Sequence, residues 1–354
     1  MLKIFVINPG NTSTKLAIFS DDKEVVSDNI QHPIEQLKDF DTIYDQLDFR
    51  MKCINGFLEE HTVDISTLSA VVGRGGLVRP IPCGTYLVND LMINDLKEGK
   101  EGHHASNLGP ALAKEIADIA EIPAYIVDPI TVDEMEGVAK ITGFPEITRQ
   151  SRLHTLNHKA VGRKAATTLG SQYEEMNFVI CHLGTGISIA AHKQGKIVDM
   201  CDARGEGPMS GDRAGGINSF LMMEFALSCQ LTHDELVKKI YSQSGIVGHL
   251  GTKDIREVEQ RIQNGDEHAK LVLDAMIYQC AKEIGAQSAA ISGKVDRIIL
   301  TGGMTYSAYI TKKLSAMVEF IAPVMVFPGE EEMEALALGA LRVLMGEEEA
   351  KQYN

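Results

Sequence analysis

Two stretches of this chain follow one pattern, and that recurrence limits the folds open to it more than any other feature. Residues 4–17 read IFVINPGNTSTKLA and residues 178–191 read FVICHLGTGISIAA. Superposed, they put Gly10 on Gly184 and Asn8 on His182, with apolar runs on both sides of a polar, Gly-marked turn. Each then passes through a second polar turn, DDK or HKQGK, into a third apolar run, EVVSDNI or IVDM. Short apolar runs bounded by Gly, Pro, Asn and Asp read as strands joined by turns. Identity between the copies is low, and two unrelated hairpins are the alternative. A repeated unit in a chain of 354 residues, more than one core usually serves, favours two related α/β domains facing each other.

Between the copies, a polar helical stretch is expected over residues 33–60. Strand SAVVG then leads into GRGG, a helix covers 107–120, strand AYIVD ends at Asp128, and a further helix covers 151–170. The later half reads as mostly helical from 215 to 292. Strand DRIILTGG, a helix near 306–319, strand PVMVFPGE and a final helix EEMEALALGALRVLMGEEEA follow. We therefore expect an N-terminal domain over 1–170, completed by a returning helix at 335–354, and a nucleotide-binding domain over 171–334. No low-complexity linker separates them, so the hinges should be short.

The net charge of −15 repels nucleic acid, and no basic tract offsets it. It repels phosphates and carboxylates as well, so anionic ligands would need a local cluster of Arg, Lys and His. No apolar run reaches the ~18 residues of a membrane span. The opening MLKIFVINPG reads as a strand and lacks the pattern of a secretory leader. Six cysteines lie far apart with no CxxC pair, which fits reduced thiols and a cytoplasmic protein.

Three Gly-marked turns each end an apolar strand. The first, NPGNTSTK, offers backbone N–H groups with Asn11, Thr12, Ser13 and Lys15. HLGTG holds His182, Gly184, Thr185 and Gly186, and TGGMTYS holds Gly302, Gly303 and Met304 ahead of a helix. None is the GxxxxGK[ST] loop. A lone turn of this kind is explained by an ordinary hairpin; three together suggest a bound nucleotide. GIVGHLGTKDIREV adds Lys253, Asp254 and Arg256 on an exposed loop before a helix.

NPGNTSTKLAIF, CHLGTGISIAA, GEGPMSGDRAGGIN, HTLNHKAVGR and ILTGGMTYS together resemble signature segments of the acetokinases, in the superfamily of acetate and sugar kinases, heat-shock chaperones and actin. GRGGLVRPIPCGTY and PGEEEMEALALGALRV resemble the butyrate branch. The likeness spans nearly the whole chain. It implies an α/β fold of two ribonuclease H-like domains, the actin-like ATPase fold, with an interdomain active-site cleft. It also implies ATP or ADP with Mg2+ as cofactors, and reversible phosphorylation of a small-molecule carboxylate to an acyl phosphate. The expected acid is butyrate or a branched analogue. A homo-oligomer is expected too, with SFLMMEFAL serving as interface or as core.

A carboxylate is already ionised at neutral pH. Catalysis therefore rests on positioning and charge neutralisation, for which the arginine fork is suited. By resemblance, Arg74 binds the substrate carboxylate, with Arg79 as the alternative. Arg213 and His154 stabilise the transferring phosphoryl group, and Asp128 orients the arginines or metal-bound water. Asn8 and Glu332 position magnesium, the latter within the run of three glutamates 330–332. His182, Gly184, Thr185 and Gly186, with Asp254, Arg256, Gly302, Gly303 and Met304, contact nucleotide. Where the acetate branch has His-Asn-Pro, this chain has NLGP. Leu108 is expected to leave apolar room for a longer acyl chain.

Three other functions compete with this one. The first is a kinase preferring acetate or propionate. The second is a nucleotide-gated ATPase without a carboxylate pocket. The third is a metal-dependent relative using His154 and His158, whose HxxxH spacing on a helix matches metal ligation.

Overall fold

The computed structural model describes residues 1–354. The chain divides into two compact units, Met1–Asp133 with Glu331–Asn354, and Glu134–Glu330. The first unit opens with the expected meander, β1 (Lys3–Pro9), β2 (Ser13–Ser20) and β3 (Lys23–Gln31). Parallel strands β4 (Ala70–Arg74) and β6 (Ala124–Val127) then join β1, and β5 (Thr85–Leu87) closes the edge, giving the order β3-β2-β1-β4-β6-β5. Helices Leu47–Glu60 and Leu108–Ala120 bury Ile54, Phe57, Leu108 and Leu112 against Phe5, Ile7 and Val71. Each such fully buried side chain stabilises the unit by about 1.5–3 kcal/mol. The last helix, Glu332–Leu344, returns to this sheet and lays Gly339 against Val127; a Cβ there would stand 2.5 Å from the valine methyls.

The second unit repeats the plan. Strands β7 (Asn177–Leu183), β8 (Ile187–Lys193) and β9 (Lys196–Met200) form an antiparallel meander. Strands β10 (Arg297–Gly302) and β11 (Val324–Pro328) add in parallel, in the order β11-β10-β7-β8-β9. The two copies seen in the sequence thus form equivalent strands, β1 with β7 and β2 with β8. Alternation along β7 sends Val179, Cys181 and Leu183 into a core with Leu273 and Met276 of helix Glu267–Ala290. Phe178 and Ile180 point the other way, onto Val161, Ala165 and Tyr173. Helix Thr155–Thr168 therefore belongs to the second sheet, and the units divide after Asp133 and not at 170.

Expected helices are shorter than their sequence patterns suggested. Residues 33–60 form Ile34–Leu37, a 3-10 turn at Tyr44–Gln46 and then Leu47–Glu60. The final helix stops at Leu344, just before Gly346 takes a left-handed φ of 75°. No helix is long and apolar enough to cross a membrane.

Candidate active site

In the first unit, Asn8, Arg74 and Asp128 stand at the C-terminal ends of the adjacent parallel strands β1, β4 and β6. Strand ends of this kind form ligand crevices in α/β sheets. Asn8 Nδ2 donates to Glu332 Oε2 at 3.0 Å, and the same oxygen pairs with the Arg74 guanidinium. Among the three glutamates, Glu332 is thus the one on Asn8. Helix Leu108–Ala120 presses flush against Arg74 because glycines face each other. A Cβ on Gly73 would stand 2.2 Å from Gly109 O, and one on Gly109 2.3 Å from Arg74 O. Asn107 holds the following loop, accepting from Leu77 N at 2.9 Å and donating to Gly102 O at 3.0 Å.

Asp128 is buried with a left-handed φ of 40°. Its Oδ1 accepts from Gly84 N at 2.7 Å, and its own N–H donates to Gly84 O at 3.1 Å, so the loop before β5 fixes the carboxylate. Arg79, the alternative carboxylate binder, is committed to buried Asp95, with Nη2 donating to Oδ1 at 3.1 Å. Leu108 is fully buried in the core with Phe5 and Ile7. The first turn of its helix packs onto the sheet at this point.

The turn at residues 11–13 rests on a residue that sequence reasoning missed. Arg50 is completely buried. Its Nη1 donates to Ser13 O at 2.9 Å and Thr14 Oγ1 at 3.0 Å, its Nη2 to Asn11 O at 3.4 Å, and both Nε and Nη2 to Gln46 Oε1. No carboxylate is among these partners. Burial lowers its pKa to about 10, so it stays charged at neutral pH beneath the turn. His32, 2.8 Å from Thr14 Oγ1, has its pKa lowered to about 4 by burial and then by Arg50. Lys15 is exposed on β2.

In the second unit, residues 184–186 link β7 to β8, with His182 just before them. The His182 ring stacks on His154 at 4.0 Å between centroids. His182 Nδ1 donates to Asn157 Oδ1 at 2.8 Å, and Nε2 lies 3.1 Å from Glu330 Oε1. The Arg213 guanidinium lies directly over Gly186, where a Cβ would stand 2.7 Å from Cζ. Nη1 donates to Ala203 O at 2.9 Å. Ser210 Oγ donates to Thr185 O at 2.6 Å and accepts from Arg213 N at 3.3 Å, tying the GEGPMSGDR segment to the turn. His154, His182 and Arg213 therefore gather on one glycine turn.

That turn opens on a cavity of about 660 Å³, a size that accommodates a small ligand. Gly184 and Thr185 line it on one side, Gly303, Met304 and Tyr306 on another, and residues 253–256 with Glu259 on a third. Gly302, at φ 93°, lets β10 end hard against β7; a Cβ there would stand 2.6 Å from Leu183 O. Asp254 caps helix Ile255–Gln263 through Arg256 N, and Arg256 Nη2 donates to its Oδ2 at 2.6 Å. These bonds hold the Asp254 carboxyl down to about 2. Lys253 Nζ donates to Asp212 Oδ2 at 2.9 Å.

His154 and His158 do not form a chelating pair. His154 is the N-cap of its helix, and both rings turn to Ser188 Oγ, at 2.8 Å from His154 Nδ1 and 3.0 Å from His158 Nε2. No three His, Cys, Asp or Glu side chains are grouped to hold a metal.

Comparison with known proteins extends this picture. The model of the acetokinase family matches residues 146–325. Acetate kinase from Porphyromonas gingivalis superposes with a TM-score of 0.81 at 21% identity, over 97% of this chain and 100% of that one. A propionate kinase from Francisella tularensis subsp. tularensis SCHU S4 gives 0.76 at 20%, over 96% and 99%. Acetate kinase from Entamoeba histolytica gives 0.76 at 18%, over 95% and 98%. The shared architecture is the actin-like ATPase fold, with its two ribonuclease H-like sheets.

Proposed function

This chain belongs to the acetokinase family, and on that footing we propose that it transfers the γ-phosphoryl group of ATP to a short-chain carboxylate. A carboxylate oxygen bonds to the γ-phosphorus as the bridge to the β-phosphate breaks, leaving acyl phosphate and ADP; the reverse makes ATP. The observation that supports this best is the placing of Arg213, His154 and His182 on the glycine turn that lines the 660 Å³ cavity. A nucleotide in that cavity has backbone N–H groups and helix N-termini for its phosphates. A guanidinium and an imidazole are then at hand for the charge that spreads over the equatorial oxygens.

Arg74 suits the acyl acceptor. It already pairs with one carboxylate, that of Glu332, and its planar fork has further donors for a second. Asp128, locked by Gly84, is a fixed carboxyl group at the same strand ends. Asn8 and Glu332 offer few oxygens, which matches a largely hydrated magnesium carried by the nucleotide. Such an ion would neutralise phosphate charge, and the chain's part is to orient its water shell.

We assign the acyl chain as butyrate or a branched analogue, on the likeness of the 74–86 and 328–343 segments to the butyrate branch. Assembly into a homo-oligomer is supported by helix Ser219–Ser228, which exposes Phe220 to 63% and Leu227 to 81%. Six cysteines that form no disulfide suit a reducing cytoplasm. Turnover with acetate, propionate, butyrate and isobutyrate, each with MgATP, tests the substrate. We expect the highest kcat/KM with butyrate or isobutyrate. Preference for acetate or propionate removes the chain-length assignment, and no acid-dependent ADP release removes the kinase.

A further inference from the structure

Behind His154 runs an unbroken file of polar side chains that phosphoryl transfer does not itself require. Ser188 Oγ stands between His154 Nδ1 at 2.8 Å and His158 Nε2 at 3.0 Å. His158 Nδ1 then meets His192 Nε2 at 3.2 Å, and His192 Nδ1 meets the Tyr173 hydroxyl at 2.6 Å. His158, His192 and Ser188 are completely inaccessible, and Tyr173 nearly so. Four buried polar side chains, with the buried Lys159–Glu134 pair beside them and Lys159 Nζ 5.6 Å over the Tyr173 ring, are costly unless each bond is made.

Proton counting gives this file a direction. Burial holds the pKa of both internal imidazoles well below the ordinary histidine value. The neighbouring His182 adds to this for His158, and His158 does so for His192. Each is therefore neutral near pH 7, with one N–H and one lone pair. A phenol is a stronger acid than a neutral imidazole, and imidazole nitrogen is a better acceptor than phenol oxygen. Tyr173 thus donates to His192 Nδ1. His192 must then donate from Nε2 to His158 Nδ1, and His158 from Nε2 to Ser188 Oγ. The serine hydroxyl is left to donate to His154 Nδ1.

We infer that Tyr173, His192, His158 and Ser188 are positioning residues that fix His154 as its Nε2–H tautomer, a hydrogen-bond donor that needs no second proton. The alternative polarity would put the proton on His154 Nδ1 and a lone pair on Nε2, which repels a phosphoryl oxygen. The inference rests on the role of His154 as a donor to the transferring group. The stacked ring is held the other way round: Asn157 Oδ1 accepts from His182 Nδ1, which places a proton on that nitrogen.

The test uses the full chain labelled with 15N at histidine. Long-range 1H–15N correlations distinguish the two tautomers, with His154 assigned from a His154→Gln spectrum. In the wild type we expect the Nε2–H pattern at His154. In Tyr173→Phe, which keeps the ring but removes the donor, the Nδ1–H form should become populated. There kcat should fall roughly tenfold, the bias of one hydrogen bond. KM for ATP and for the acid should change by less than about twofold, because ground-state contacts are intact. An Nδ1–H tautomer in the wild type overturns the inference. So does a folded Tyr173→Phe with unchanged tautomer and kcat. Should Tyr173→Phe not fold, the wild-type spectrum still decides. A chain without acid-dependent turnover would end the kinase proposal while leaving the tautomer result to stand or fall by itself.

Discussion

Asn8 Nδ2 donates to Glu332 Oε2 at 3.0 Å, so the first strand and the last helix of one unit meet at a single carboxylate. Arg74 pairs with that same oxygen and is partly buried, and the proposed acceptor role for it can be tested directly. Arg74→Ala should raise KM for the acid by about 30-fold or more, as expected for the loss of a charge-assisted fork. KM for ATP should hold. Equal effects on both substrates, or none on the acid, would remove Arg74 from the acceptor site.

Gly186 and Arg213 share a space with no room for a methyl group, since a Cβ would stand 2.7 Å from Cζ. Gly186→Ala should displace the guanidinium and lower kcat by about 100-fold, the scale of a misplaced stabilising group. Its unfolding free energy should match the wild type within about 0.5 kcal/mol, because the turn is at a strand end and its φ is not left-handed. A variant with full kcat would show that Arg213 acts elsewhere.

Arg50 is a buried cation with only neutral acceptors. Arg50→Met leaves Thr14, Gln46 and two turn carbonyls short of a donor. It should cost about 3 kcal/mol in urea unfolding. Arg50→Lys, retaining charge without the fork, should fall between. Stability equal to wild type in Arg50→Met would contradict this role.

Much of this was legible beforehand, and the exceptions have physical causes. The meanders could be read because a sheet buried on both faces demands apolar runs, and because a turn demands Gly, Pro or Asn where the run stops. Strands β1 and β7 accordingly occupy matching places in the two copies. The division of the units was not legible: the pattern of helix Thr155–Thr168 shows that one face is apolar, and not which sheet covers it. Arg50 does not stand out within the polar stretch 33–60, since its burial depends on a turn 37 positions away. HxxxH gave the right spacing for a shared partner and the wrong partner, a serine on β8 in place of a metal. The burial of Leu108 in the sheet core likewise depends on strands far from it in sequence.

Three buried histidines also fix a response to acid. His32, His158 and His192 all have folded pKa values lowered, chiefly by burial. The unfolded chain therefore binds more protons once pH drops below about 6.5, and stability falls with it. The slope approaches about 1.4 kcal/mol per pH unit for each histidine. For His32 the loss runs from the unfolded value down to about 4, while for the other two it continues further. Urea midpoints at pH 7.5 and 5.5 should show a clear decrease. An unchanged or rising midpoint would contradict the neutral state of these rings.

Trapping acyl phosphate with hydroxylamine, while following ADP release, tests the phosphotransferase most directly. With MgATP and butyrate we expect one hydroxamate for each ADP, and neither product in quantity without the acid. ADP release that proceeds without hydroxamate, whichever short-chain acid is supplied, would show that the phosphoryl group goes to water and that the chain is not a carboxylate kinase.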